Sequence, residues 1–244
     1  MTVPDPHGLP RSLVLSCWLQ ACVRGLVSPD ELADAVRGDD ANHLLVLGDG
    51  VAPLVALPGQ VCGAGATAAQ LAVPAPGDPV GLAGPGAFNA AALDAGEALL
   101  LPGAGIGLVP RLDARTVVWQ AMPAHGAPVL DPGEAGATLR RSLLQVTDRL
   151  AALDVASWRP EIPDLLMNLR HRDELPLPPG LSPRRVETIE RAALCLTIVR
   201  LALEDDGGAV SSYEMQQRRD ALGDLDRAAR RALVAAGSDS LGAS

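Results

Sequence analysis

Lysine is absent from this 244-residue chain, and all 20 of its Lys and Arg positions are arginine. A Schiff base to a carbonyl substrate or to pyridoxal phosphate needs a lysine amine, so that covalent chemistry is excluded. A P-loop and a kinase-type strand lysine are excluded for the same reason. The sequence also lacks the GxSxG elbow of many hydrolases and the HExxH motif of metalloproteases. These absences favour a protein that is not an enzyme.

Aromatic side chains are scarce as well, at 2% of the sequence. The core must therefore be aliphatic, and stacking platforms for single-stranded nucleic acid are not expected. Acidic residues outnumber basic ones, which gives a net charge of -9. Because a negative protein repels phosphate backbones and anionic lipid headgroups, we predict neither a nucleic-acid nor a membrane partner.

Cysteine is limited to four positions, and none of them forms a CxxC pair or a zinc-type cluster with histidine. We therefore predict no metal and no cofactor. Three of the four lie in or beside apolar runs, which indicates buried free thiols in a reducing cytoplasm rather than disulfides. The four are Cys17, Cys22, Cys62 and Cys195.

Long apolar runs are also missing, since no stretch reaches the roughly 20 apolar residues that span a bilayer. The run over residues 12–23 contains polar side chains at every fourth position, which is the spacing of one side of a helix. We predict an amphipathic helix over residues 10–24. The alternative, a lipoprotein cleavage site ending at Cys22, leaves that polar spacing unexplained. The polar positions are Ser12, Ser16, Gln20 and Arg24.

A second short helix is predicted from Ser28, which can cap the helix in a capping box with Glu31, to Gly38. Residues 48–133 then hold 15 Gly and 11 Pro, so long helices are not expected there. Short apolar runs between these breaks predict strands at 43–47, 54–57, 71–73, 98–101 and 117–119. The glycine-rich run 103–107 predicts a loop between strands. A short helix should follow Phe88, with Asn89 as its cap and Phe88 and Leu93 as a hydrophobic staple.

Helical patterns dominate after residue 133. Leucine and valine recur at spacings of four and three over residues 139–153, a second apolar stripe covers 162–169, and further helices are predicted after Pro183 and from Ser211 to about residue 236. The fold class is α+β: two short N-terminal helices, a small Gly/Pro-rich mixed sheet, and a C-terminal bundle of about four helices. The predicted boundaries are 1–132, 133–236 and a frayed tail at 237–244; the alternative is that the whole chain forms one compact domain.

The sequence from Pro74 to Asn89 offers the candidate site. It is dense in turn-forming residues and leads from a strand into a helix start, where backbone N–H groups can hold an anion. The competing interpretation is a wide structural loop that only crosses the edge of the sheet. The candidate binding residues are Asp78, Asn89, Arg111, Arg115, Trp119 and His125.

Three stretches carry a resemblance to a known group of proteins: residues 74–79 (PAPGDP), 88–91 (FNAA) and 158–161 (WRPE). They resemble an uncharacterised family of GC-rich actinobacteria. The resemblance implies no activity.

Two functional hypotheses follow. The first is a non-enzymatic cytoplasmic protein that binds a protein partner or itself through its charge-rich helical half. The second is a binder of, or enzyme for, a small anionic metabolite, with loop 76–89 as the site, Arg111 and Arg115 as positive charge and Trp119 as a wall.

Overall fold

The computed structural model describes residues 9–152, 175–203 and 212–242. Helices in this part of the chain are α1 (Arg11–Val23), α2 (Pro29–Arg37), α3 (Leu57–Gly63), α4 (Gly86–Ala95), α5 (Pro132–Ala152), α6 (Pro183–Leu203) and α7 (Ser212–Gly237). Strands are β1 (Asn42–Leu47), β2 (Gly50–Pro53), β3 (Ala68–Ala72), β4 (Ala98–Leu101), β5 (Ile106–Asp113), β6 (Thr116–Pro123) and β7 (Asp239–Ser240). The predicted mixed α+β class is confirmed.

The seven strands form one mixed sheet in the order β2-β1-β6-β5-β4-β3-β7. Strand β1 pairs with β6 in parallel, and the other neighbours are antiparallel. Both faces of the sheet are covered, as β4 shows most clearly. All four of its side chains are buried: Leu99 and Leu101 belong to the main core, and Ala98 and Leu100 to a smaller cluster under α4.

Helix α1 is confirmed, but its polar stripe does not face water. Ten of its residues are buried, including Ser12, Ser16 and Gln20. The helix packs on β3, β4, α2 and α7, so nearly every side of it contacts other elements. A helix buried all round must satisfy its polar side chains within the protein, and the partners of this stripe are described below.

Helix α7 is the centre of the C-terminal half, because it packs against α5, α6 and β3. Helices α5 and α6 run in the same direction: Gly133 lies beside Arg184, and Gly136 beside Thr188. Helix α7 runs the opposite way, so that Arg218 near its start binds the carbonyl oxygen of Ala202 near the end of α6. The main core runs without a break from α1 and the sheet into these helices.

Several predicted elements need correction. Residues 54–57 are not a strand but a 3-10 turn (Leu54–Ala56) leading into α3. Phe88 lies inside α4, so it cannot form the predicted staple before it, and Pro85 rather than Asn89 occupies the N-cap. The tail is not frayed throughout, because Asp239–Ser240 pair with β3 and Leu241 is buried. The predicted helix at 162–169 lies outside the described residues.

Gly107 in β5 provides a test of the packing under α4. A Cβ at this position would overlap the ring of Phe88, which is fully buried, and would lie 2.9 Å from the Cβ of Ala124. Gly107→Ala should therefore lower the free energy of unfolding by about 1–3 kcal/mol in urea denaturation. Gly59→Ala in α3 is the control, because nothing lies within 4 Å of its added Cβ. Equal stability of the two variants would show that the sheet yields to the added methyl group.

Candidate functional site

Asp78 lies in the loop between β3 and α4, but its carboxylate faces α7 instead of an open site. Its side chain is 11% exposed, and Oδ2 lies 3.0 Å from Nη1 of Arg230. Oδ1 accepts a hydrogen bond of 3.3 Å from Nη2 of Arg231. Arg230 also donates to the carbonyl oxygens of Val73 and Asp78 and to Asp226. Asp78 therefore fastens the loop to α7 through a buried ion pair.

Asn89 and His125 both hold Gly84, the residue just before the first turn of α4. Oδ1 of Asn89 accepts a hydrogen bond of 3.0 Å from the N–H of Gly84. The N–H of His125 donates to the carbonyl oxygen of Gly84, also at 3.0 Å, and the His125 side chain is exposed. These two candidate residues are therefore brought together at one end of the sheet.

Arg111 and Arg115 lie at the other end of the same sheet. In the β5–β6 pairing, Ile106 faces Pro123 near His125, whereas Asp113 faces Thr116 at the hairpin turn. Arg111 lies five positions further along β5 than Ile106, and this corresponds to a distance of roughly 17 Å along the strand. Both arginines are exposed, and Arg115 donates to the carbonyl oxygen of Asp39. The structure thus does not bring the arginines to the loop of Asp78 and Asn89.

Trp119 is fully buried and belongs to a polar chain that the sequence did not reveal. Its Nε1 donates to Nδ1 of His43 at 3.1 Å, and Nε2 of His43 lies 3.1 Å from Oδ2 of Asp40. Arg11 closes the chain with two hydrogen bonds to Asp40, at 2.8 and 3.1 Å. Because an indole N–H can only donate, Nδ1 must accept, and the ring proton sits on Nε2 facing Asp40.

The hydrogen-bonded side chains from Arg11 to Trp119 complement one another in charge and are shielded from solvent. The His43 side chain is 1% exposed, and burial lowers its pKa even though the Asp40 carboxylate opposes that shift. Burial would raise the pKa of Asp40, but its hydrogen bonds from Arg11 and His43 lower it. A neutral histidine with both nitrogens occupied has no lone pair for a substrate. The arrangement joins α1, the α2–β1 loop and the sheet.

A second polar network binds the end of α7 to α1. Ser16 and Gln20 donate to the carbonyl oxygen of Gly237 at 2.7 and 2.9 Å. Arg185 of α6 donates to the carbonyl oxygen of Ala236, to Oε1 of Gln20 and to Asp239. The last carbonyl groups of a helix have no partners within it, so these side chains act as its C-terminal cap. The polar spacing of α1 was the sequence signal for this network, although it did not show the partner.

The outer face of α6 changes character along the helix. It begins with Glu187 and Arg191, which form an ion pair at 2.7 Å. About one, two and three turns after Arg191, Leu194, Ile198 and Leu201 follow at helical spacing, and all three are only partly buried. The opposite side holds buried residues that face the core. We call Leu194, Ile198 and Leu201 the α6 apolar stripe.

Metal ligands and thiols are the remaining side chains of chemical interest among the described residues. No group of three or more His, Cys, Asp or Glu side chains there could hold a metal ion. All four cysteines are free; burial raises the pKa of the Cys17 thiol to about 12 and that of the Cys195 thiol to about 11. Cys22 is partly buried and Cys62 is exposed. Among the described helices, none combines the length and hydropathy that crossing a bilayer requires.

Comparison with known proteins places this architecture in a family. A model described as the N-terminal domain of Rv1486c-like protein matches residues 12–133, and a model of the C-terminal domain matches residues 133–234. The chain belongs to the Rv1486c-like family. This membership confirms the resemblance to an uncharacterised actinobacterial family that the sequence indicated.

Three curated proteins similar to this chain come from mycobacteria. Uncharacterized proteins Rv1486c and MT1533, from two Mycobacterium tuberculosis strains, are each 27% identical, over 92% of this chain and 95% of their own. Uncharacterized protein MAV321 of Mycobacterium avium is 31% identical over 39% of both chains. No solved structure matches. The relatives therefore supply membership and no activity.

The two Rv1486c-like family regions meet where the sheet gives way to the helices. The first spans α1 to β6, and the second spans α5 to most of α7. Two of the networks above join them: Asp78 with Arg230, and Gln20 with Arg185. The buried charges at this junction are thus used to hold the two regions together.

Proposed function

We propose that this protein acts by associating with another protein molecule, through the outer face of α6, and not by catalysis. The α6 apolar stripe carries the proposal. A helix facing only water would continue the charged pattern of Glu187 and Arg191, whereas this one places Leu194, Ile198 and Leu201 on the same side. Apolar side chains at these spacings are the form in which a helix presents itself to a partner.

The pairing of these charged side chains within the fold supports this proposal. Asp78, Asp40 and Asp239 each face one or more arginines, and His43 is held between Trp119 and Asp40. Catalysis needs titratable groups that are exposed to a substrate and poised to change their charge. These groups are instead committed to ion pairs and hydrogen bonds within the fold.

A small anionic ligand at loop 76–89 is the second candidate. Asn89 and the backbone of His125 both fix Gly84 beside the start of α4, and the first N–H groups of a helix have no partner within the helix. The positive charge of Arg111 and Arg115 lies at the far end of β5, so this site would depend on backbone donors and His125. A thermal-shift screen against phosphosugars, nucleotides and carboxylates tests it. A hit that Asn89→Ala abolishes would favour this candidate over the first.

Substitution on the α6 apolar stripe tests the first candidate. The wild-type chain should form an oligomer in light scattering or retain a protein partner after cross-linking. Leu194→Glu and Leu201→Glu should each weaken that association by roughly 30-fold or more, if these positions contribute as interface hot spots do. The matched control is Val51→Glu, which places the same charge on an exposed valine of β2.

Circular dichroism and melting temperature establish that the α6 variants remain folded before their association is compared. A wild-type chain that is monomeric at every concentration and retains no partner would exclude the proposal. So would an association that survives both glutamate substitutions.

A further inference from the structure

Among the described residues, the outer edge of β3 is covered by the short strand β7 near the end of the chain. Ala68 faces Ser240 and Ala69 faces Asp239 in an antiparallel pair of two residues. On either side, the N–H of Leu241 donates to the carbonyl oxygen of Thr67, and the N–H of Leu71 donates to Oγ of Ser238, both at 2.9 Å. Residues 238–241 therefore occupy the edge of β3 from Thr67 to Leu71.

An uncovered β3 would be a hazardous edge. Its sequence, Ala-Ala-Gln-Leu-Ala, has no charged residue and no proline, and four of its five side chains are buried. Proteins usually protect exposed edges with charges, prolines or bulges, because an unpaired edge recruits another strand. Within the part of the chain that the structure describes, the protection of this edge comes from the tail.

Besides its pairing with β3, the tail is held by the carboxylate of Asp239, the carbonyl oxygen of Ser240 and the side chain of Leu241. Oδ2 of Asp239 lies 2.8 Å from Nη2 of Arg24 and 2.7 Å from Nη1 of Arg185, and Arg24 also donates to the carbonyl oxygen of Ser240. The side chain of Asp239 is 36% exposed, so this clasp lies at the surface. Leu241 is 5% exposed and anchors the far end in the core.

We propose that residues 238–241 form a strap that keeps the chain from pairing with a second copy through β3. Without the strap, β3 presents unpaired N–H and C=O groups on an apolar strand. Two identical strands related by a two-fold axis are antiparallel, the same direction in which the strap pairs with β3, so a second copy can satisfy the exposed groups. This inference concerns the β3 edge and is independent of the proposed α6 interface.

Removal of residues 238–244 gives the direct test. In light scattering, the shortened chain should form a dimer through β3 at micromolar concentrations. The full chain should not form this dimer at the same concentrations. Leu201→Glu in the shortened chain should leave the dimer intact, which separates it from association through α6. A shortened chain that is folded but has the same oligomeric state as the full chain would overturn the proposal.

A milder variant covers the case in which the shortened chain does not fold. Asp239→Ala in the full chain should loosen the strap, and hydrogen exchange of the Leu71 amide should accelerate by about tenfold or more, because its hydrogen bond goes to the strap alone. Asp224→Ala is the matched control, since Asp224 also pairs with two arginines, Arg149 and Arg227, on the surface. Equal exchange of Leu71 in both variants would show that Asp239 does not hold the strap.

Discussion

Replacing Arg230 with methionine should lower the free energy of unfolding by about 3–5 kcal/mol. The substitution leaves the carboxylate of Asp78 buried with only the longer contact to Arg231, and it removes the donor to the carbonyl oxygens of Val73 and Asp78. A buried charge without its partner cannot recover the solvation that it lost on folding. The decrease in the free energy of unfolding should therefore exceed the decrease caused by breaking a surface ion pair. Urea denaturation followed by circular dichroism measures it.

Asp226→Asn is the control for this prediction, because it removes the other ion pair of Arg230. Asp226 is 32% exposed at its side chain, and the loss there should stay below about 1 kcal/mol. Similar losses in the two variants would mean that the contact with Asp78 is not the one that stabilises the junction between the loop and α7.

Stability should fall when the pH drops below about 6.5, and His43 should be responsible. The pKa of His43 is lowered in the folded protein because the ring is buried, so the unfolded chain binds this proton more readily. The contribution of His43 to stability is therefore fully present at pH values above its unfolded pKa. It declines as the pH falls toward the pKa of His43 in the folded protein. The slope can reach about 1.4 kcal/mol per pH unit for one proton. The pKa of Asp40 is lowered too, so its contribution is lost only at lower pH, below its ordinary value of 3.8.

His43→Gln isolates the histidine. A glutamine amide can accept from Trp119 and donate to Asp40, as His43 does, but it does not titrate. The variant should lose the decline in stability between pH 7.5 and pH 5.5 that the wild type shows. Trp119→Phe should make that decline smaller, because it frees Nδ1 to take up a proton and so brings the folded pKa of His43 closer to its unfolded value. An unchanged pH profile in His43→Gln would assign the decline to other groups.

Elements with local signals were predictable from the sequence. The capping box of Ser28 and Glu31 is present as expected, β4 spans residues 98–101, and α6 begins at Pro183. The prediction of a strand at 54–57 was wrong because a run of four apolar residues is too short for its spacing to distinguish a strand from a turn of helix. Strand β5 was missed because it contains Pro110. Pro110 lies beyond the part of β5 that pairs with β4. On that side of β5, the missing N–H of proline therefore breaks no hydrogen bond with β4.

The arrangement of the candidate residues depended on long-range pairing and could not be predicted. His43 meets Trp119 because β1 pairs in parallel with β6, and the two residues are 76 positions apart. Asp78 meets Arg230 over 152 positions. Nothing in the neighbouring sequence of either residue specifies the other. The polar stripe of α1 was visible, but whether it faced water or the interior depended on where α7 ends.

The contact between α1 and Gly237 also sets an order of events during synthesis. Ser16 and Gln20 leave the ribosome early, yet the carbonyl oxygen that they bind belongs to a residue made 221 and 217 positions later. Until then, α1 carries buried-type polar side chains without their acceptor, and β3 carries a bare edge. A nascent chain that stalls before residue 237 therefore exposes both the polar side of α1 and the edge of β3.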